Sequence, residues 1–192
     1  MAMAAATGAT RPHPAAQGLP ATDTTVVHFT PPTQLLDEPV TGFCRMPSKA
    51  AWFRTDAWAC NAGSTPYDPC FKVGTTMTAW CVSDPRQPSR GALIKLTTLL
   101  LIDAAAPSHR AWFFELTDGS TCRPLPAPGR IIEGERELYA CKYGSAGEAD
   151  AVLGDLDSSQ PVWTVHKVLI NKKTDPQTVK SLVVASVRTV WQ

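Results

Sequence analysis

The sequence predicts a mainly β fold, an antiparallel sandwich or barrel with a loop and short-helix segment held by disulfides. Three observations carry this. Short runs rich in strand-forming residues recur along the chain, about seven of them, with turn residues between them. The six cysteines Cys44, Cys60, Cys70, Cys81, Cys122 and Cys141 are even in number and follow no metal-binding or redox spacing. Asp118-Gly119 directly follows the run Ala111–Thr117, the pattern of a tight hairpin.

Residues 1–24 are rich in alanine, threonine, proline and glycine and carry too little apolar surface to offset the entropy of ordering them. They read as a flexible linker, and residues 25–192 as a single disulfide-bridged β domain. A leader of this kind suits a tether between an anchor and an outer module, and equally an ordinary terminus. The stretch Thr25–Phe29 reads as a first strand, stopped by Pro31-Pro32. Between Cys44 and Cys81 the prolines and Gly63 point to loop, with Ser48 as the N-cap of a short helix through Trp52.

From residue 91 onward strands dominate. Ala92–Ile102 does not alternate, so it reads as buried on both faces or bulged. Ala111–Thr117 and Ser120–Arg123 flank the Asp118-Gly119 turn, and Ile131-Ile132 with Arg136–Lys142 form a second hairpin around Gly134-Glu135. Ala151–Leu156 is a short piece broken by Gly154, Val162–Ile170 is a strand, and Thr178–Trp191 is long enough to require a bulge or bend.

Six cysteines allow 15 pairings. The sequential set Cys44–Cys60, Cys70–Cys81 and Cys122–Cys141 is preferred on local grounds. Cys122 and Cys141 fall on neighbouring predicted strands, and the first four crowd one segment that has little else to order it. Bridged cysteines imply an oxidising compartment. The first ten residues have neither a basic start nor a long apolar run, and the longest apolar stretch, Leu99–Ala106, is too short to span a bilayer. The chain therefore reads as secreted or cell-surface, with its export signal or anchor outside this sequence and no transmembrane segment of its own.

Of 192 residues 18% are charged, with a net charge of +1, so no basic field exists to attract nucleic acid and no strong field of either sign steers a ligand. A ligand or protein partner outside the cytoplasmic membrane is then recognised by shape and hydrogen bonds. No cofactor is expected. The cysteines lack zinc or iron–sulfur spacing, and Asp155-Leu-Asp157 lacks the glycine and closing glutamate of a calcium loop.

Catalytic signals are weak. His13 lies in the leader, His109 in a turn, and His28 and His166 on predicted strands, with no nucleophile elbow to serve. Ser145 lies between glycines at the wrong spacing for one. Glu115 with Asp118, and Glu133, Glu135 and Glu137, read as solvated turn carboxylates. Tryptophan is abundant, with six residues, and most suit core and disulfide packing. If any form a binding surface, the loop-rich segment favours Trp52, Arg54, Trp58 and Tyr67, because binding residues collect on loops pinned to a scaffold.

The run Cys44…Arg54-Thr-Asp-Ala-Trp58-Ala-Cys60…Tyr67-Asp-Pro-Cys70-Phe71 is joined by Leu116-Thr-Asp-Gly-Ser-Thr-Cys122, Tyr139-Ala-Cys141, Leu153-Gly-Asp155, Pro161-Val-Trp163 and Thr189-Val-Trp191. As a set these resemble an uncharacterised family of exported Cys-rich β domains from actinobacteria and related GC-rich bacteria. Its members are secreted or lipid-anchored, and some resemble the outer domains of membrane serine/threonine kinases. The resemblance spans roughly residues 40–192. It implies export and bridged cysteines, and it transfers no catalytic residue. The expected function is a non-enzymatic binding or sensing module of the bacterial cell envelope, its ligand a cell-wall glycan, peptide or protein. The alternatives are a secreted hydrolase whose carboxylates meet only in the fold, and a structural or inhibitory surface protein.

Overall fold

The computed structural model describes residues 22–32, 38–52, 54–98, 110–127, 129–142, 148–171 and 178–192. The expected linker up to residue 21, the strand beyond residue 98, and the readings on His13, His109 and Ser145 lie outside them. Thirteen strands and no helix are found among the described residues. They form two closed sheets, largely antiparallel, and three disulfides, so the predicted fold class holds.

The first barrel consists of β2 (Val40–Pro47), β3 (Ala57–Ala62), β4 (Thr65–Lys72), β5 (Thr78–Cys81) and β6 (Ala92–Leu96), paired in chain order. It closes through a parallel pairing of β6 with β2, Ile94 beside Val40. At that seam a Cβ on Gly42 would run into the Asn61 carbonyl and the Ile94 side chain, so glycine is what permits closure. The interior holds Cys44, Trp58, Cys60, Cys70, Ala79, Cys81, Ile94 and Leu96.

This barrel occupies the segment expected to be loop and short helix, which is a correction. The N-cap chemistry at Ser48 is present without its helix. Ser48 Oγ accepts from the Ala51 N–H at 2.8 Å and bonds the Asp68 carboxylate, whose other oxygen takes the N–H groups of Lys49 and Ala50. Arg54 N–H then returns to the Ala51 carbonyl and the chain enters β3 after a turn. Asp68, on β4, thus caps a single turn, after which the chain passes into β3 and does not continue as a helix. The prolines are accommodated at irregular points: Pro66 sits next to the β3–β4 turn, and the register slips between Trp58 and Cys60.

The second sheet contains β7 (Phe113–Leu116), β8 (Thr121–Pro124), β10 (Glu135–Lys142), β11 (Glu148–Asp157), β12 (Thr164–Asn171) and β13 (Thr178–Trp191). Its path runs β13, β12, β11, β10, β8, β7, and β7 pairs again with β13, which closes the ring. β9 (Ile131–Ile132) adds to β10, and β1 (Thr25–Val27) lies parallel to the end of β13. The hairpin at Asp118-Gly119 forms as predicted, with Glu115 opposite Thr121. The second hairpin turns at Glu133-Gly134, one residue earlier than the sequence indicates, because Ile132 pairs with Glu135. β11 is continuous where a break was expected: Gly154, at φ +65°, absorbs a bulge within the strand. β13 carries the expected irregularity, between Val187 and Thr189. Thr24, the last residue of the expected linker, is tied into the fold, its Oγ1 bonding Val187 O at 2.7 Å and Trp163 N at 2.8 Å.

Phe114, Leu116, Cys122, Tyr139, Val152, Val165, Val187 and Val190 fill this second barrel. A third cluster joins the two. Phe71, Trp80 and Ala57 from the first barrel pack with Phe29, Trp112, Phe113 and Trp191. Neighbouring residues therefore face different cores: Cys70 the first barrel and Phe71 the junction, Phe113 the junction and Phe114 the second barrel. The pattern explains why AWFFELT does not alternate.

Each disulfide joins residues paired directly across a ladder: Cys44–Cys60, Cys70–Cys81 and Cys122–Cys141. This is the sequential pairing, and no cysteine is free. Each bridge stabilises by about 2–4 kcal/mol.

Beside the β7–β8 turn, Lys167 Nζ reaches inward to Asp150 at 2.7 Å, Asp118 at 2.8 Å and Ser120 Oγ at 3.2 Å. Asp150 and Ser120 are buried. Burial alone raises the Asp118 carboxyl, but the Lys167 ammonium and Ser120 N–H outweigh it and hold it below the ordinary range. Burial likewise lowers Lys167, and its two carboxylates carry it above its usual value. Replacing Lys167 by Met strands the buried Asp150 charge and should cost about 3–5 kcal/mol in urea unfolding; adding Asp150→Asn should restore most of the loss. Asp118, depressed in the folded state, contributes stability above its unfolded pKa of about 3.9 and loses it as pH falls. The melting temperature should therefore decline below about pH 4, and less steeply in Asp118→Asn when the two are scanned side by side.

Candidate functional site

β7 leaves the second barrel at Asp118 beside Lys167 and enters it at Ala111, where a cleft opens. Its volume is about 550 Å³, and it is lined by Val26, His28, Arg110, Ala111, Tyr139, Asp155, Leu156, Ser158, Trp163 and Gln192. Six separate stretches of chain converge there. Thr24 holds β1 against Trp163, whose carbonyl accepts from the Val187 N–H. Gln192 O accepts from the Phe29 N–H, and the Gln192 N–H donates to Val27 O, which seats His28 beside the end of β13. Trp163 and Leu156 are half-buried and pack on the barrel core, presenting their remaining surface to the cleft.

The charges here are balanced. Arg110 Nη2 meets Asp155 Oδ2 at 3.1 Å, with both side chains about half exposed. Tyr139 is 1% exposed and stacks edge-on to Phe114 at 5.0 Å. Burial, then the Asp155 charge, push its hydroxyl well above the usual tyrosine range, so it stays protonated. The result is a cleft with an aromatic and aliphatic floor and a rim of planar polar groups: a guanidinium paired with a carboxylate, an imidazole and a carboxamide. Such a surface pairs with adjacent hydroxyls and supports an apolar ring face.

Two smaller clefts lie elsewhere. One, of about 380 Å³, includes Tyr67, Asp68, Ser83 and Arg90. The other, of about 220 Å³, includes Glu135, Asp155, Asp157 and His166. In it His166 Nδ1 sits 2.8 Å from both Glu135 oxygens. Asp157 is lowered by the Ser159 N–H, and Asp84 by Arg86. A glycosidase acid requires the opposite direction of shift. The sulfurs of Cys60, Cys70 and Cys81 lie within 4.8 Å of one another, but each is already in a disulfide and offers no thiolate to a metal.

Of the residues singled out in the sequence, Trp58 is 7% exposed and packs inside the first barrel. Arg54 grips Asp56 at 2.7 and 2.6 Å, and its guanidinium stacks on the Phe71 ring at 4.9 Å. Trp52 is exposed on its turn, and Tyr67 packs on the first core and lines the second cleft. Trp58, Arg54 and Tyr67 thus have packing roles, and none of the four lines the main cleft. Its own aromatics, Tyr139 and Trp163, stand in the sequence as ordinary strand residues, and only long-range pairing brings them together.

No protein-family model, curated protein or solved structure matches the chain.

Trp58→Ala should act on folding. Emptying its place between two disulfides and Ile94 should cost about 3–5 kcal/mol, read as a lower denaturation midpoint. Trp52→Ala, at a more exposed position, should lower the midpoint less than Trp58→Ala does.

Proposed function

We propose that the chain is a non-enzymatic binding module of the bacterial cell envelope and that it takes a neutral, polyhydroxylated ligand, a cell-wall glycan fragment, in the cleft at the end of the second barrel. The observation that carries this is the composition of the cleft: Trp163, Leu156 and Tyr139 beneath, with the Arg110–Asp155 pair, His28, Ser158 and Gln192 around them. A volume of about 550 Å³ is that of a ligand site for one or two sugar rings. The charge-paired rim supplies hydrogen bonds without selecting an ion, which matches the net charge of +1.

Support for an extracytoplasmic setting is coarser. Three disulfides fit an oxidising compartment, and no described helix is long and apolar enough to cross a membrane. The hydrolase reading has less behind it, because the carboxylates with displaced titration are displaced downward.

Titration calorimetry with chitotetraose and with soluble peptidoglycan fragments tests the proposal. Binding is expected, weakened about tenfold by Trp163→Ala and unchanged by Trp52→Ala. Heat from neither probe, or equal affinity in Trp163→Ala, would remove the basis for a glycan site here.

A further inference from the structure

Asp155 borders two clefts at once, the one at the end of the second barrel and the smaller one that holds Glu135, Asp157, Thr164 and His166. The chain between them is the bulge of β11. Its ladder to β10 ends at Leu153, and its ladder to β12 lapses from Leu153 to Asp157. Neither ladder engages Gly154, Asp155 or Leu156. Backbone N–H and C=O groups outside a ladder need other partners, and beside two open clefts water and ligand hydroxyls can supply them. The lining alternates along the same stretch of chain. Leu156 and Ser158 belong to the first cleft and Asp157 to the second, Trp163 to the first and Thr164 to the second. The clefts thus lie on the two faces of one sheet margin and meet over the bulge.

Each cleft carries the same kind of group near this meeting point. Arg110 and Asp155 stand 3.1 Å apart in the first, and His166 Nδ1 lies 2.8 Å from Glu135 Oε1 in the second. All four side chains are roughly half exposed. A carboxylate beside a planar nitrogen group offers an acceptor and a donor to adjacent hydroxyls. Gly154 places no side chain between the pairs; a Cβ there would come within 3.3 Å of Glu135 Oε2. We infer that the two clefts form one groove, and that its ligand is an extended chain of sugar units that crosses the β11 bulge. His166, Glu135 and Asp157 hold the far end. This rests on the glycan reading above and adds a length to it: a disaccharide occupies the first cleft alone, and a tetrasaccharide reaches the second.

Titration calorimetry with matched lengths tests this, using chitobiose against chitotetraose and the disaccharide against the tetrasaccharide fragment of peptidoglycan. In the parent chain the longer ligand should bind about tenfold more tightly than the shorter. Trp163→Ala should weaken both lengths. His166→Ala should bring the tetrasaccharide down to the level of the disaccharide, with a melting temperature close to the parent's. Asp157→Ala, at an exposed position of the same cleft, should act in the same direction. Equal affinity for both lengths in the parent overturns the shared groove, and so do variants at His166 and Asp157 that keep the longer ligand's full advantage. In either case a disaccharide that still binds leaves the glycan reading standing. Heat from neither length of either probe removes that reading and the groove with it.

Discussion

The wall of rings between the two barrels is the interaction on which the remainder rests. Phe29 lies 4.9 Å from Phe71 and 5.3 Å from Trp112, and Phe113 meets Trp191 edge-on at 5.3 Å. These rings come from both barrels and from the N-terminal segment, so neither barrel completes its hydrophobic surface alone. On the outer side, Arg86 and Arg123 lie over the Phe113 ring at 5.5 and 5.3 Å, with Asp84 paired to Arg86. Each ring pair adds roughly 0.5–1.5 kcal/mol beyond the area it buries. The wall also seats Phe29, and through it the strand that borders the main cleft.

What could be read from the sequence was local. The Asp118-Gly119 turn, the strand at Val162–Ile170 and the irregularity in Thr178–Trp191 depend on neighbours in the chain, and all appear. The cysteine pairing was legible for the same reason, since each bridge spans adjacent strands. The segment from Cys44 to Cys81 misled because proline and glycine normally punctuate loops. Here Pro66 sits beside a turn, and Ser48 and Asp68 cap a single turn that leads into β3. Tertiary contact overrode local preference.

The cleft was beyond sequence reading for a related reason. Tyr139, Asp155, Trp163, His28 and Arg110 meet through ladders between β10, β11, β12, β13 and β1, and no spacing encodes that meeting. Trp52, Arg54, Trp58 and Tyr67 drew attention as residues of a loop on a scaffold, yet their segment is largely strand: Trp58 fills the first barrel, and Arg54 covers the ring of Phe71.

The parallel placement of β1 beside β13 has a mechanical consequence. Thr25 lies next to Thr189 and Val27 next to Trp191, so the chain enters at one end of this pair and departs at the other. A pull applied through the flanking segments slides the two strands lengthwise past each other. Their hydrogen bonds then share the load together and do not peel apart in succession, and the three cross-ladder bridges limit how far the strands behind them can extend.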